Sequence, residues 1–248
     1  SQRSMTICYD ASDEDDMSFL MGIGCGGTIY ILLQPLTAAN NYLQLPTIFN
    51  ALESRQTCVF LQKITDHGEV AEAKVVGQDS DSFSAITQQL DSKNSRLMTV
   101  DDHVWLATTM KPPFHLLIVG GGVDARPLAS LAATLGWEIT LCDPRPANAR
   151  REHFMRVDTV LRCPPLQLTD EPLFKTFDAA IVMTHNLQLD ANAVAALQAS
   201  PIKYLALLGP IVRRDQVLEL ADLDKNSLLV PIAGPAGLRL GGELPEDI

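Results

Sequence analysis

Short, wholly apolar runs alternate with amphipathic stretches through the second half of the chain. Apolar runs of this kind are typical of strands buried on both faces of a sheet, and the amphipathic stretches are typical of the helices that cover them. The pattern predicts strands at 115–119, 138–142, 159–162, 179–183 and 204–208 and helices at 126–135, 190–199 and 213–223. Because strand and helix alternate, we expect an α/β domain with a doubly wound parallel sheet.

The pattern in the first part of the chain is mixed. It predicts a strand at 28–33, a helix at 45–55, a hairpin formed by 57–64 and 69–76, and a short helix around 83–90. The stretch 78–102 is otherwise polar, and Met110-Lys111-Pro112-Pro113 interrupts regular structure. We therefore predict a smaller N-terminal α+β domain over residues 1–112 and the doubly wound domain over residues 113–248.

Composition places the chain among globular proteins, since 46% of its 248 residues are hydrophobic and 20% are charged. The 19 Lys and Arg residues against 30 Asp and Glu residues give a formal net charge of −11. A surface this acidic repels phosphate backbones and anionic lipids, so we expect no general nucleic-acid binding. The 5 cysteines form no CxxC pair, which argues against a disulfide framework and a zinc knuckle and favours a cytoplasmic location.

The most apolar stretch, residues 19–33, is too short to cross a membrane. It spans 15 residues and holds several glycines, whereas a membrane-spanning helix needs about 20 apolar residues. We predict a loop that runs into a strand, and no membrane span. The chain begins without Met, and residues 244–247 are typical of a helix start, so we expect both ends to be shortened.

A glycine-rich motif lies between the first strand and the first helix of the second domain. Gly120-Gly121-Gly122-Val123-Asp124-Ala125 has the form G-x-G-x-x-A. Gly120 permits a tight turn, Gly122 lets a pyrophosphate approach the main chain, and the helix N-terminus offers N–H groups to an anion. The motif predicts a Rossmann-like cofactor-binding domain; the alternative is a loop of the same fold that holds no nucleotide.

Charged side chains follow the next strands. Asp143 comes 21 residues after Gly122, where a carboxylate can hold a ribose 2′-hydroxyl. His185 follows a later strand and is a candidate for orienting a ligand or moving a proton; a role beside a helix cap is the alternative. A phosphate-binding patch on the same crevice is the third candidate, with solvated helix surface as its alternative; it would be formed by Arg145, Arg150, Arg151 and Arg156.

Residues 22–27 place a cysteine among glycines. Gly24, Gly26 and Gly27 leave the Cys25 sulfur open to a bulky partner, and successive N–H groups in such a loop lower a thiol pKa. The loop favours a thiolate ligand or a sulfur carrier; the alternative is a small apolar side chain in a glycine-rich turn. For the other four cysteines we predict core packing.

Taken together, these residues resemble the XdhC/CoxI family, the accessory factors of xanthine dehydrogenase and related molybdenum hydroxylases. The likeness covers nearly the whole chain and weakens only at the ends and over 78–102. The matching blocks are Tyr9-Asp10, 22–27, 32–36, 120–128, 135–137, 143–146, 184–187 with Asp190, 207–210 with Arg213-Arg214, and 234–238 with Gly241-Gly242 and Pro245-Glu246.

The resemblance implies a chaperone rather than an enzyme. Such a protein binds molybdenum cofactor in its molybdopterin form, protects it from oxidation, and assists its sulfuration before insertion into a xanthine dehydrogenase-type enzyme. Cys25 is then expected to be the metal ligand or to lie at the exchangeable sulfur. The residues expected to hold the rest of the cofactor are Gly24, Gly26, Gly27, Gly120, Gly121, Gly122, Asp143, Arg145 and His185. The expected partners are the molybdoenzyme, a cysteine desulfurase and a second copy of the chain.

Two other hypotheses remain open from the sequence. An NAD(P)-dependent oxidoreductase would use Gly120, Gly122, Ala125 and Asp143, although the chain shows no Tyr-x-x-x-Lys pair for hydride transfer. Alternatively, the Rossmann-like domain serves mainly as a protein-interaction and dimer surface.

Overall fold

The computed structural model describes residues 3–10, 28–65, 68–90, 94–100 and 102–238. The chain divides into two compact units, residues 1–112 and residues 113–248. Each unit has a β-sheet of its own. Within the described residues, no helix is both long enough and apolar enough to cross a membrane.

The first unit is built on a four-stranded antiparallel sheet with the strand order β4-β3-β6-β5. A separate antiparallel ribbon pairs β1 with β2, with Met5 opposite Leu33. A 3-10 helix, Ala38–Gln44, leads into α1. The strands are β1 (Met5–Asp10), β2 (Thr28–Leu33), β3 (Cys58–Lys63), β4 (Ala73–Gly77), β5 (Ser95–Val100) and β6 (His103–Met110), and the helices are α1 (Leu45–Glu53) and α2 (Asp81–Leu90).

The central strand β3 is buried because a helix packs on each of its faces. Val59 and Leu61 pack in one apolar cluster with Leu90 of α2. Cys58 and Phe60 point to the opposite face, as the alternation of a strand requires, and pack with Ile48 of α1.

Two strands of this sheet were missed by the hydrophobic pattern, which predicted only a short helix between 78 and 102. The helix is present as α2, but β5 and β6 follow it. β5 is an edge strand in which only Met98 is buried, so the apolar alternation that identifies a half-buried strand is nearly absent. β6 contributes Trp105 and Ala107 to the core beside β3.

The second unit carries a six-stranded sheet with the order β9-β8-β7-β10-β11-β12, and every pairing in it is parallel. Its strands are β7 (His115–Val119), β8 (Glu138–Cys142), β9 (Thr159–Leu161), β10 (Ala179–Val182), β11 (Tyr204–Leu207) and β12 (Ile232–Ala233). Its helices are α3 (Ala125–Thr134), α4 (Leu187–Leu197) and α5 (Ile211–Leu220), with 3-10 helices at Arg151–His153, Pro165–Asp170 and Pro172–Lys175. The predicted doubly wound α/β fold with a smaller N-terminal part is confirmed.

The core of the second unit lies on both faces of β7, all of whose residues are buried. Leu117 and Val119 pack on one face with Val194 and Leu197 of α4. Leu116 and Ile118 pack on the other face with the small residues of α3, among them Ala125, Ala129 and Ala132. Burial on both faces explains why residues 116–119 of this strand form a continuous apolar run.

Candidate functional site

Two loops of the second unit lie side by side at the carboxyl ends of neighbouring strands. Residues 120–124 follow β7, and residues 183–186 follow β10; Val119 of β7 is opposite Val182 of β10. The strand order reverses between β7 and β10, and open parallel sheets bind their ligands at this point. We call the space between the two loops the switch-point crevice.

The three glycines of the first loop differ in what surrounds them. Gly120 has φ +117°, and a Cβ there would lie 2.5 Å from the main-chain oxygen of Met183. A Cβ on Gly121 would lie 2.5 Å from the main-chain oxygen of Asn148. Within the described residues, a Cβ on Gly122 would meet only the His185 ring, at 3.8 Å. Gly120 and Gly121 are therefore required by packing, whereas Gly122 faces open space.

Main-chain N–H groups at this opening are available to a ligand. The N–H of Gly120 donates to the Cys142 oxygen at 2.8 Å, and that of Ala125 donates to the Gly122 oxygen at 3.2 Å. In the part of the chain that the structure describes, the N–H groups of residues 122–124 have no hydrogen-bond acceptor. They precede the ten-residue helix α3, so the helix dipole adds to their attraction for an anion.

Asp143 supports the glycine loop from below. Its carboxylate is fully buried and accepts five hydrogen bonds, at 2.7–3.1 Å, from the Gly121 N–H, the Arg145 N–H, the Arg145 guanidinium (twice) and the Asn148 side-chain amide. Burial by itself would raise the pKa of this carboxyl, but the hydrogen bonds from Arg145, Gly121 and Asn148 outweigh it and lower the pKa. The charged form of Asp143 is therefore the form that holds the loop.

This arrangement corrects the roles expected for Asp143 and Arg145. The sequence predicted that Asp143 holds a ribose hydroxyl and that Arg145 belongs to a phosphate-binding patch. In the structure both side chains are engaged with each other, with the Arg145 Nη2 atom 2.7 Å from the Asp143 Oδ2 atom. The two residues lie on one tight turn, and together they position the glycine loop.

A histidine and an aspartate join the two loops at the mouth of the crevice. The Nε2 atom of His185 lies 2.8 Å from the Oδ2 atom of Asp124, and both side chains are exposed, at 58% and 43%. His185 has φ +58°, a left-handed conformation that is uncommon for a residue other than glycine. The helix cap next to it is Asn186, whose side chain accepts from the Leu189 N–H at 3.0 Å. His185 therefore faces the crevice, and the capping is done by its neighbour.

Behind His185 lies a buried polar network that the sequence did not predict. Asp190 on α4 is 1% exposed, and its Oδ1 atom accepts from the N–H of Thr184 at 3.1 Å and from the Thr184 hydroxyl at 2.5 Å. Its Oδ2 atom accepts from the Arg213 guanidinium on α5 at 2.5 Å. The network connects the end of β10 to two helices and so holds the second loop of the crevice.

The arginines predicted to form one phosphate patch are divided between two edges of the sheet. Arg151 donates to the main-chain oxygens of Val157 and Asp158, and Arg156 donates to the Thr134 hydroxyl at 3.0 Å. These contacts lie at the amino ends of β8 and β9, so the expectation that both face the crevice was wrong. A parallel strand must begin at the amino edge, and the chain has already crossed to that edge by residue 156.

The predicted metal ligand and its loop, Gly24, Cys25, Gly26 and Gly27, lie outside the described residues. The prediction of core packing is confirmed for Cys58 and Cys142, which are buried, but Cys8 is exposed. Burial raises the pKa of the Cys142 thiol, as does the Cys163 thiol 4.0 Å away. Within the described ranges, no three His, Cys, Asp or Glu side chains are grouped to hold a metal ion.

Comparison with known proteins relates most of the chain to one family. Residues 116–248 match the model of the XdhC Rossmann domain. The chain is 28% identical, over 263 residues, to a protein of Bacillus subtilis (strain 168) named as a probable subunit of xanthine dehydrogenase; the match covers 99% of this chain and 73% of that protein. It is 29% identical, over 143 residues, to the uncharacterized protein YqeB of Escherichia coli (strain K12), covering 56% of this chain and 26% of the relative.

One solved structure has the same fold over nearly the whole chain. It is a crystal structure described as a xanthine dehydrogenase from Bacillus halodurans, and it superposes with a TM-score of 0.72 at 24% identity. The superposition covers 99% of this chain and 71% of the other.

Proposed function

Because the chain belongs to the XdhC family, we propose that it is an accessory protein of a molybdenum hydroxylase. In this proposal it binds molybdenum cofactor, protects it from oxidation, and assists its sulfuration and insertion into a xanthine dehydrogenase-type enzyme. The name of the Bacillus subtilis relative supports this class of partner. A cysteine desulfurase and a second copy of the chain are the other proposed partners, and the cytoplasm is the proposed location.

The observation that carries the proposal within the structure is the opening at Gly122. We expect a phosphate group to fit there because residue 122 has no side chain, and because the N–H groups of residues 122–124, just before α3, have no acceptor among the described residues. The His185 ring, whose Cδ2 atom lies 3.8 Å from the Cβ position, borders this opening, and its Nε2 atom is held by Asp124. Asp143 and Arg145 act as positioning residues that hold the glycine loop in this form.

Cys25 is proposed as the residue at the metal end of the cofactor. A thiolate is a soft ligand and suits a metal with an exchangeable sulfur. When bound, the cofactor carries the molybdenum centre that the hydroxylase needs. The chain's own part is to hold the phosphate end of the cofactor at Gly122 and to exclude oxidants from its metal end.

The geometry of Asp143 favours this proposal over an NAD(P)-dependent oxidoreductase. Dinucleotide-binding sites use the acidic residue after the second strand to accept a hydrogen bond from the ribose. Here that residue is fully buried, and its oxygens already accept five hydrogen bonds from the protein. A ribose would have to displace Arg145 or the loop itself.

Retention of the cofactor tests the proposal directly. Molybdenum cofactor freshly released from a donor enzyme is mixed anaerobically with the protein, and retention after ultrafiltration is measured by the fluorescence of the oxidised pterin. We expect the wild-type protein to retain the cofactor and Cys25→Ala to lose most of it. Cys8→Ala, which changes an exposed cysteine, is the control and is expected to retain it. Equal retention by Cys25→Ala would remove Cys25 from the site, and no retention by the wild type would refute the proposed function.

Substitution of Gly122 tests the opening without disturbing the fold. A Cβ at residue 122 meets nothing closer than 3.8 Å, so Gly122→Ala is expected to leave the unfolding temperature unchanged. The added methyl group occupies the phosphate position, and we expect cofactor affinity to fall about tenfold, or about 1.4 kcal/mol. Gly77→Ala, at another glycine with open space around it, is the matched control. Unchanged affinity with an unchanged fold would place the phosphate elsewhere.

A further inference from the structure

A cavity of about 310 Å³ lies beside the switch-point crevice, at the carboxyl ends of β8 and β9. It is open to solvent, and arginines provide much of its lining. The lining residues are Pro146, Arg150, Glu152, His153 and Arg162. Of the four arginines that the sequence predicted as a phosphate patch, only Arg150 lies here; Arg162 was not among them.

Hydrogen bonds fix the donors that this cavity presents. The Nη2 atom of Arg126, in the first turn of α3, donates to the Nδ1 atom of His153 at 2.9 Å. Because a guanidinium only donates, Nδ1 of His153 is the acceptor, which leaves the ring proton on Nε2 as a donor. The Nε atom of Arg162 donates to the Ala149 oxygen at 3.0 Å, which orients its guanidinium, and Arg162 lines the cavity.

One of the arginines that line the cavity has no acceptor among the described residues. The Arg150 guanidinium is exposed and makes no hydrogen bond or ion pair with them. A guanidinium with no carboxylate partner presents its N–H groups to an anion, whose oxygens can accept two of them at once.

We propose that the cavity is a phosphate-binding site, shaped for the phosphate or pyrophosphate end of a nucleotide-like ligand. Two guanidinium groups, from Arg150 and Arg162, line it with a single carboxylate, Glu152, in a chain whose net charge is −11. Arginine forks bind phosphate oxygens in pairs, and Rossmann-like folds place a phosphate-binding arginine after the second strand. Arg126 joins the site to α3 and hence to the glycine loop.

The site deepens the proposed function, on which it rests for the identity of the whole ligand. A form of the cofactor that carries a pyrophosphate would be held at two points on one edge of the sheet, at Gly122 and at the arginines. The phosphate chemistry itself does not depend on the pterin, so inorganic probes test the site separately.

Calorimetric titration with pyrophosphate and with inorganic phosphate, at one fixed ionic strength, tests the site. We expect saturable binding of at least one of the two probes to the wild-type protein. Arg150→Ala and Arg162→Ala are expected to weaken binding at least tenfold. Glu152→Gln, which removes the opposing charge, is expected to tighten it several-fold. Arg156→Ala is the matched control, since it removes the same charge from the amino edge of the sheet.

The inference is overturned if the wild-type protein shows no saturable binding of either probe. It is also overturned if Arg156→Ala weakens binding as much as Arg150→Ala, because the effect would then be one of net charge. Cofactor retention by the same variants separates the two proposals. If the probes bind at the arginines but the wild-type protein does not retain the cofactor, the phosphate site is supported and the proposed function is refuted. If the protein retains the cofactor but binds neither probe, the proposed function is supported and the phosphate site is refuted.

Discussion

Replacing Asp143 with asparagine is expected to lower the free energy of unfolding of the second unit by about 3 kcal/mol at neutral pH. The side chain is fully buried, and its five hydrogen bonds are all donated to it. Asparagine has one acceptor oxygen, and its amide group would face the Gly121 N–H or the Arg145 guanidinium, donor against donor. Urea unfolding followed by far-UV circular dichroism measures the loss. Asp215→Asn, at an exposed ion pair, is the control and is expected to cost less than about 1 kcal/mol.

The stability lost in Asp143→Asn is expected to depend on pH, and the direction follows from the lowered pKa of Asp143. A carboxylate favoured in the folded state contributes stability above its unfolded pKa of about 4, and the contribution is lost as pH falls through the lower, folded pKa. The stability difference between the wild-type protein and Asp143→Asn is therefore expected to be constant from about pH 7 to pH 5 and to shrink in more acidic solution. A difference that stays constant down to about pH 2 would contradict the assigned charge.

The second large effect is expected at Arg213. Arg213→Met leaves the carboxylate of Asp190, which is 1% exposed, without its ion-pair partner at 2.5 Å. Breaking a buried pair in this way costs about 3–5 kcal/mol. Arg156→Met is the matched control, because Arg156 is exposed and donates only to the Thr134 hydroxyl among the described residues, and its loss is expected to cost about 1 kcal/mol or less. The measurement is again urea unfolding at neutral pH.

A double variant separates an unpaired charge from lost packing. When Asp190→Asn is added to Arg213→Met, no charge remains buried, and we expect at least about 1 kcal/mol of the lost stability to return. If the double variant is as unstable as the sum of the two single variants, Asp190 and Arg213 do not act as a pair. Because Thr184 also depends on Asp190, Asp190→Asn alone is expected to lower cofactor retention along with stability.

The hydrophobic pattern predicted the second unit well because its strands are buried on both faces. β7 and β8 are almost wholly buried, so most of their residues are apolar whatever the details of packing. β12 was missed because it is two residues long, and β5 because, as an edge strand, it buries little of its surface. A strand that buries few residues lacks the hydrophobic pattern by which a strand is predicted.

The sequence predicted where the glycine loop of the candidate site lies, but not which side chains around it bond to one another. Gly120, Gly121 and Gly122 identify the loop in the sequence. At the first two positions a Cβ atom would lie 2.5 Å from a neighbouring main-chain oxygen, so the tight turn excludes a side chain there. By contrast, the partner of Asp143 is its own neighbour Arg145, and that of His185 is Asp124, 61 residues away. Hydrogen-bond partners of this kind have no local spacing that marks them.

The sequence by itself therefore determined the family, the doubly wound sheet and the glycine loop at which a phosphate is proposed to bind. Only the tertiary structure decided how the charges are used. It buries Asp143 beneath the loop, pairs Asp190 with Arg213, and places Arg156 and Arg150 at opposite ends of the strands. Backbone requirements and burial restrict the residue type at each position, so they can be inferred from the local sequence. The pairing of charges depends instead on which strands the fold makes neighbours.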